Sequence, residues 1–304
     1  MQVFAKMILL AGSLALLASC GGGKSSGPTD TTGSGQIDIS VDETYRPVIE
    51  QQLKVFDSSY PEAKITPHYK AEADCFKDFF DGKARLILVT RELSEEEVAF
   101  MEQKKVVTTS VALVRDAIAV ILPPGATDTM FGIEQLKGIL TGAYDKKKYT
   151  VVFDNERSST VRYITDSLLA GQKLGGNVFA AQGNDSVLAY VERNKDAIGF
   201  VGVNYVGNPD GSTGDNEFIG RVKIASIWND EKKEAYKPYQ AFVANQAYPL
   251  SRNMYFIHGE SYPGLGTGFG NFLKDTRGQL IFAHAHLFPL KMNIIIRDAA
   301  ISNE

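Results

Sequence analysis

The sequence predicts an α/β protein of mixed sheets flanked by helices. Between residue 37 and the helix that Ser94 caps, short β-branched runs and amphipathic stretches follow one another in the order β-α-β-α-β-α. That order implies strands running largely parallel under a cover of helices. The 304 residues are 44% hydrophobic and 22% charged, ordinary for a soluble globular chain with length for a substantial core. No repeat of 20–50 residues suggests a solenoid or propeller.

The first segment is of another kind. Lys6 precedes an apolar run from Met7 to Leu17, too short for a comfortable membrane span and built like an export signal. Leu17-Ala18-Ser19-Cys20 then resembles a bacterial lipobox, with small residues before a cysteine that becomes the lipidated first residue. The plain alternative is a cleaved leader with an incidental cysteine. Residues 1–19 are thus expected to be a lipoprotein signal peptide, and 20–36, rich in Gly, Ser and Thr, a lipidated flexible tether. The expected location is the periplasmic side of a bacterial membrane, held through the lipid.

Without the leader the chain carries 31 Lys plus Arg against 36 Asp plus Glu, a net −5. Mild acidity argues against a nucleic-acid partner, which needs a basic face. Once Cys20 is lipidated only Cys75 is left, so no intrachain disulfide or cysteine metal cluster forms. The four histidines show no HExxH pattern, and no cofactor or metal is expected. His284 and His286 read as helix-end or solvent-facing residues.

In order, Ile37–Val41 alternates as a strand. A helix follows Asp42-Glu43-Thr44, with Val48, Ile49, Leu53, Val55 and Phe56 apolar until Pro61 stops it. Lys64–Tyr69 is a second strand, Cys75–Phe80 a helix, Leu86–Thr90 a buried strand. Ser94 with Glu97 forms a capping box for the next helix. Val111–Leu122 is a long strand and Ile133–Leu140 a helix. Val151–Phe153 is a strand before a helix over Ile164–Leu169. Val178–Ala181, a Ser186–Asn194 helix and the Ala197–Gly202 strand come next. Ile219–Trp228 resumes β character, Met254–Ile257 is a strand, and Phe269–His284 one helix.

The turn between Phe153 and Ile164 is the candidate site. Asn155, Ser158, Ser159 and Thr160 can satisfy the free amides of a helix start, and such a turn suits an anion. Arg157 and Arg162 supply planar, charge-assisted donors. The bland reading is an ordinary strand-to-helix cap.

Over residues 37–291 the chain resembles the phosphate-binding family of ABC-transporter substrate-binding proteins, of lipoprotein type. The residues that carry the likeness are Arg157-Ser158-Ser159-Thr160, similar to the family's Ser-Gly-Thr phosphate turn, Ala197-Ile198-Gly199-Phe200-Val201-Gly202, similar to its AIGYVG segment, Tyr248-Pro249-Leu250-Ser251-Arg252, its YPLSR return, and Phe272-Leu273 with Arg277-Gly278-Gln279 and Pro289-Leu290. The resemblance implies a two-lobed periplasmic-binding-protein fold (type II) with the ligand cleft between lobes. Lobe one would comprise residues 37–115 plus 247–304, and lobe two residues 116–246, with Tyr248–Ser251 in the hinge. It implies no enzymatic activity, a monomer, inorganic phosphate or a similar oxyanion as ligand, an ABC permease as partner, and a membrane reached through the lipid anchor.

Carried over residue by residue, the resemblance implies ligand contacts from Thr44, Glu72, Arg91, Arg157, Ser158, Ser159 and Thr160. The family's Gly-Ser-Thr-Thr run aligns with Val41-Asp42-Glu43-Thr44, where only Thr44 matches, and its Gly-Ser-Gly with Ala71-Glu72-Ala73. Carboxylates thus stand where hydroxyl donors are usual. One can accept the proton of hydrogen phosphate; three would repel the anion unless Arg91 or Lys70 pairs with them. A diverged protein whose acidic cleft takes a cationic or amine ligand, or a sensing partner, is the alternative. An exported hydrolase has no Gly-x-Ser-x-Gly elbow to support it.

Overall fold

A computed structural model describes residues 29–144, 147–208 and 217–292. The leader, Cys20 and residues up to 28 of the expected tether lie outside these residues. The end of that stretch is no flexible tether, because Asp30 is buried and bonded by Arg85, Tyr262 and the Leu265 amide and the first strand starts at Gly35. Among the described residues thirteen strands run in chain order: β1 Gly35–Asp42, β2 Ala63–Lys70, β3 Leu86–Val89, β4 Thr109–Leu122, β5 Met130–Phe131, β6 Thr150–Phe153, β7 Val178–Ala180, β8 Ala197–Gly202, β9 Lys223–Ile224, β10 Ser226–Asn229, β11 Glu234–Tyr236, β12 Ser251–His258 and β13 Phe288–Pro289. The helices are α1 Arg46–Ser59, α2 Glu72–Phe80, α3 Glu95–Gln103, α4 Ile133–Thr141, α5 Ser159–Tyr163, α6 Asn184–Arg193, α7 Gln240–Ala244, α8 Leu265–Lys274 and α9 Thr276–His284.

One strand path, β2-β1-β3-β12-β4-β8-β6-β7, runs through the molecule, with β13 and β9 added alongside β4. The mixed sheet expected from the sequence is present. β1 pairs in parallel with β2 and β3, and β6 in parallel with β7 and β8, while β12 and β4 run antiparallel to their neighbours. β4 explains the mixture. Its fourteen residues pair with β12 from Thr109 to Ala117, then change partner and pair with β8 from Ile118 to Ile121. A strand long enough to serve both halves forces an antiparallel return beside it. Leu250 accepts from the Ile118 amide at 2.9 Å and the Tyr248 hydroxyl donates to the Ile118 carbonyl at 2.8 Å. The two connections between halves therefore lie side by side.

The core follows the apolar pattern. Val48, Ile49, Leu53 and Phe56 of α1 fall on one face and are buried, and Leu86 to Val89 of β3 are inaccessible. Ser94 and Glu97 form the reciprocal capping box read from the sequence. Cys75 is buried in a small cluster with Phe76, Phe79 and Met101. Gly199 in β8 is required by close packing. An added Cβ would lie within 3.0 Å of Val191, Ile121 and Val187 side chains, so helix α6 sits down on the strand only over glycine.

Three expectations change. The helix after β6 starts at Ser159, five residues earlier than Ile164, because the Ser158 side chain caps it by accepting from the Val161 amide at 3.2 Å; it then widens into a π-helical turn over Ile164–Leu168. The single helix expected over Phe269–His284 is two, broken at Asp275, whose extended backbone ends α8 and opens α9. His286 does not face solvent. It is buried against Gly207, with Nε2 3.2 Å from the Asn208 carbonyl oxygen and Nδ1 3.4 Å from Glu217.

Candidate functional site

The carboxyl ends of β1, β3 and β6 open toward the same crevice, as is usual for ligand sites in open α/β sheets. β1 ends in Asp42, whose carboxylate accepts from the Thr44 amide at 3.0 Å and so forms the turn that carries Thr44. β6 leads to Asp154 and then Ser158-Ser159-Thr160, all buried. β3 leads to Thr90. The Thr44 hydroxyl lies 3.3 Å from the Ser159 hydroxyl across 115 residues of sequence, so the two halves touch at this point.

Behind Ser159 stands a buried cation. Arg252, at the start of β12, donates Nη1 to the Ser159 hydroxyl at 3.1 Å and Nε to Asp116 at 2.8 Å, and the Tyr45 hydroxyl also donates to Asp116 at 3.3 Å. Burial alone would lower the Arg252 pKa, but Asp116, Tyr45 and Asp42 hold it above its ordinary value. Asp42 moves the other way. Burial and the nearby Glu72 charge push its pKa up to about 7, against the pull of Arg252. Asp154 is raised too, by burial.

Glu72 pairs with neither Arg91 nor Lys70. One carboxylate oxygen accepts from the Thr90 amide and hydroxyl, each at 2.7 Å, and the other from Arg162 Nε at 2.6 Å. Arg162 also reaches the Thr90 hydroxyl at 2.8 Å. Lys70 pairs with Asp78. Arg91 makes a forked pair with Glu97 at 2.6 and 2.8 Å and lies 3.7 Å over the Phe76 ring. Arg157 bonds Asp74 at 2.7 Å, another contact between the halves, and its side chain is 59% exposed, so that pair adds little stability. Glu72, Arg91, Arg157, Ser158 and Arg162 together line a cavity at the mouth of the crevice.

Of the residues singled out in the sequence, Thr44, Ser158, Ser159 and Thr160 meet in the buried centre, and Glu72, Arg91 and Arg157 lie around the mouth. Sequence reasoning left out Asp116, Asp154 and Arg252. Arg252 was visible at the end of the YPLSR segment, one residue past the expected hinge Tyr248–Ser251, and was given no role. Asp116 was the one acid in a long apolar strand, a signal that a buried cation must be near. Among the described residues no group of three or more His, Cys, Asp or Glu side chains is placed to hold a metal, and no helix is long and apolar enough to cross a membrane.

The family description "PBP superfamily domain" matches residues 26–276. The chain belongs to the PBP superfamily. Within it, the chain is 24% identical over 263 residues to the phosphate-binding protein PstS of Staphylococcus aureus, covering 82% of this chain and 76% of that one. A putative phosphate ABC transporter substrate-binding protein from Clostridium perfringens, solved with bound phosphate, superposes with a TM-score of 0.71. It is 22% identical and covers 84% of this chain and 100% of its own. An ABC-type phosphate transport receptor from Vibrio cholerae gives a TM-score of 0.63 at 20% identity, with 84% and 100% covered. These homologues are transport substrate-binding proteins, not enzymes.

Proposed function

We propose that this protein is an extracytoplasmic solute-binding protein that captures phosphate, or a closely similar oxyanion, and delivers it to an ABC permease. The observation that carries the reading is the buried contact of Thr44 from one half with Ser159 from the other, backed by Arg252. Hydroxyls and a guanidinium converge there, a set of donors suited to a tetrahedral anion. Thr44, Ser158, Ser159 and Thr160 contact the oxyanion, with Arg252 supplying charge from behind. Glu72 fixes the direction of Arg162, and Arg162 with Arg91 and Arg157 draws the anion through the mouth. Residues 37–115 plus 247–304 act as one lobe and 116–246 as the other, closing on the ligand as a monomer because the closed state binds it better. Cys20 carries the lipid, and the domain works on the periplasmic side of the membrane.

Removing the Ser159 hydroxyl tests this. Ser159→Ala should weaken phosphate binding by about tenfold, the ~1.4 kcal/mol expected for one hydrogen bond to a charged ligand. Unchanged affinity by calorimetry in a folded variant would remove the turn from the site.

A second reading rests on Asp42 and Asp154, two buried carboxyls without a cation of their own. On this reading the cleft takes an amine or another cationic ligand, or signals to a partner. Binding of a simple alkylamine with no response to phosphate would select it.

A further inference from the structure

The buried atoms left without hydrogen-bond partners in the crevice fall into two kinds. Thr160 Oγ1 and Arg252 Nη2 offer donors, whereas Asp42 Oδ2, Asp116 Oδ1 and both oxygens of Asp154 offer only acceptors once ionised. Asp42, Asp154 and Thr160 are each no more than 1% exposed, so bulk solvent does not reach them. The remaining acids of the crevice are already matched, Asp116 by Arg252 and Glu72 by Arg162. Two carboxyls are left without a paired cation, at the carboxyl ends of β1 and β6. Ser159 and the Thr44 amide act on Asp42, Ser158 and the Asn155 amide on Asp154, and both lie within the field of the same Arg252 guanidinium.

An oxyanion by itself completes only half of this set. It accepts from Thr160 and Arg252, but it brings negative charge toward two unmatched acids and gives them at most its own protons. A ligand that completes both halves bears an oxyanion and, a few bonds away, a charged N–H donor. We propose that the ligand of this cleft is zwitterionic, a small phosphate or phosphonate carrying a protonated amine, with its oxyanion on Ser159, Thr160 and Arg252 and its ammonium on Asp42 and Asp154. The inference rests on the oxyanion reading above and adds the amine. The raised pKa of both carboxyls agrees with acids held without a counter-cation, which an ammonium would supply.

The test is calorimetric titration of the full-length protein at neutral pH with four probes: inorganic phosphate, ethylphosphonate, 2-aminoethylphosphonate and ethylamine. The two phosphonates differ by the amine alone. 2-Aminoethylphosphonate should bind at least about tenfold more tightly than ethylphosphonate, about 1.4 kcal/mol. Asp154→Asn should narrow that ratio, and Asp42→Asn serves if the first variant does not fold. Equal affinity for the two phosphonates, with phosphate bound, overturns the amine and leaves the oxyanion reading standing. Binding of no oxyanion probe overturns both. Ethylamine bound as tightly as 2-aminoethylphosphonate shows that the oxyanion contributes nothing and overturns the zwitterion.

Discussion

Replacing Asp116 by alanine strands a guanidinium. Arg252 is 3% exposed in its side chain and Asp116 is fully buried, so solvent does not take over the lost contact, and Asp42 acts on Arg252 only through its field. Their 2.8 Å bond is joined by the Tyr45 hydroxyl on the carboxylate and the Ser159 hydroxyl on the guanidinium, so the loss spreads to both halves of the crevice. Breaking a buried pair from one side costs about 3–5 kcal/mol, because a charge is left uncompensated. At roughly 2–4 °C per kcal/mol for a chain of this size, the midpoint of thermal unfolding should fall by about 10 °C. Urea unfolding followed by circular dichroism gives the same quantity without the temperature term. The control is the double variant Asp116→Leu with Arg252→Met, which removes both charges and should recover most of the loss in stability while abolishing anion binding. A single variant that loses less than about 1 kcal/mol, or a double variant as unstable as the sum of the two singles, would refute the reasoning.

Asp42 carries a pH signature. Its pKa of about 7 in the fold, set by burial and Glu72 against Arg252, exceeds the ordinary 3.8, so the native state holds the extra proton and stability should fall as pH rises from about 4 to 7. Asp42→Asn should flatten that slope, and an unchanged slope speaks against the assignment. Asp30 works in reverse: burial would raise its pKa, but hydrogen bonds from Arg85, the Leu265 amide and Tyr262 hold it at about 2. Asp30→Asn should cost about 2 kcal/mol at neutral pH, with the difference vanishing as the wild type is acidified below about pH 4 toward 2; a pH-independent difference would contradict this. The Cys75 thiol, pushed up by burial and by Asp42 and Glu72, should resist a thiol reagent until the protein is denatured, and rapid native-state labelling would show the cluster to be open.

Much of the fold was legible because local chemistry and tertiary context agree. The β3 and β8 runs are apolar enough to be strands anywhere, β1 alternates as a half-buried strand does, and Ser94 with Glu97 marks a helix start with no help from the rest of the chain. The exceptions have physical causes. Ser159 and Thr160 read as cap residues, yet Ser158 alone caps, and the two that follow enter the helix with their hydroxyls buried in the crevice. Asp275 breaks a sequence of good helical periodicity because the chain must turn α9 back onto α8, where Gly278 lies against the Phe272 carbonyl. Within the site, the residues on the Arg157–Thr160 turn could be found from one short stretch. The Glu72–Arg162 and Asp116–Arg252 pairs could not, since their members are 90 and 136 residues apart and only the fold chooses among several candidate arginines.

Calorimetric titration of the full-length protein with phosphate, then sulfate, at neutral pH tests the central claim most directly. The account predicts saturable phosphate binding with sulfate excluded, because a carboxyl of the cleft accepts the proton that hydrogen phosphate has and sulfate lacks. Heat from neither anion, with no shift in thermal unfolding, would contradict an oxyanion site at Thr44, Ser159 and Arg252.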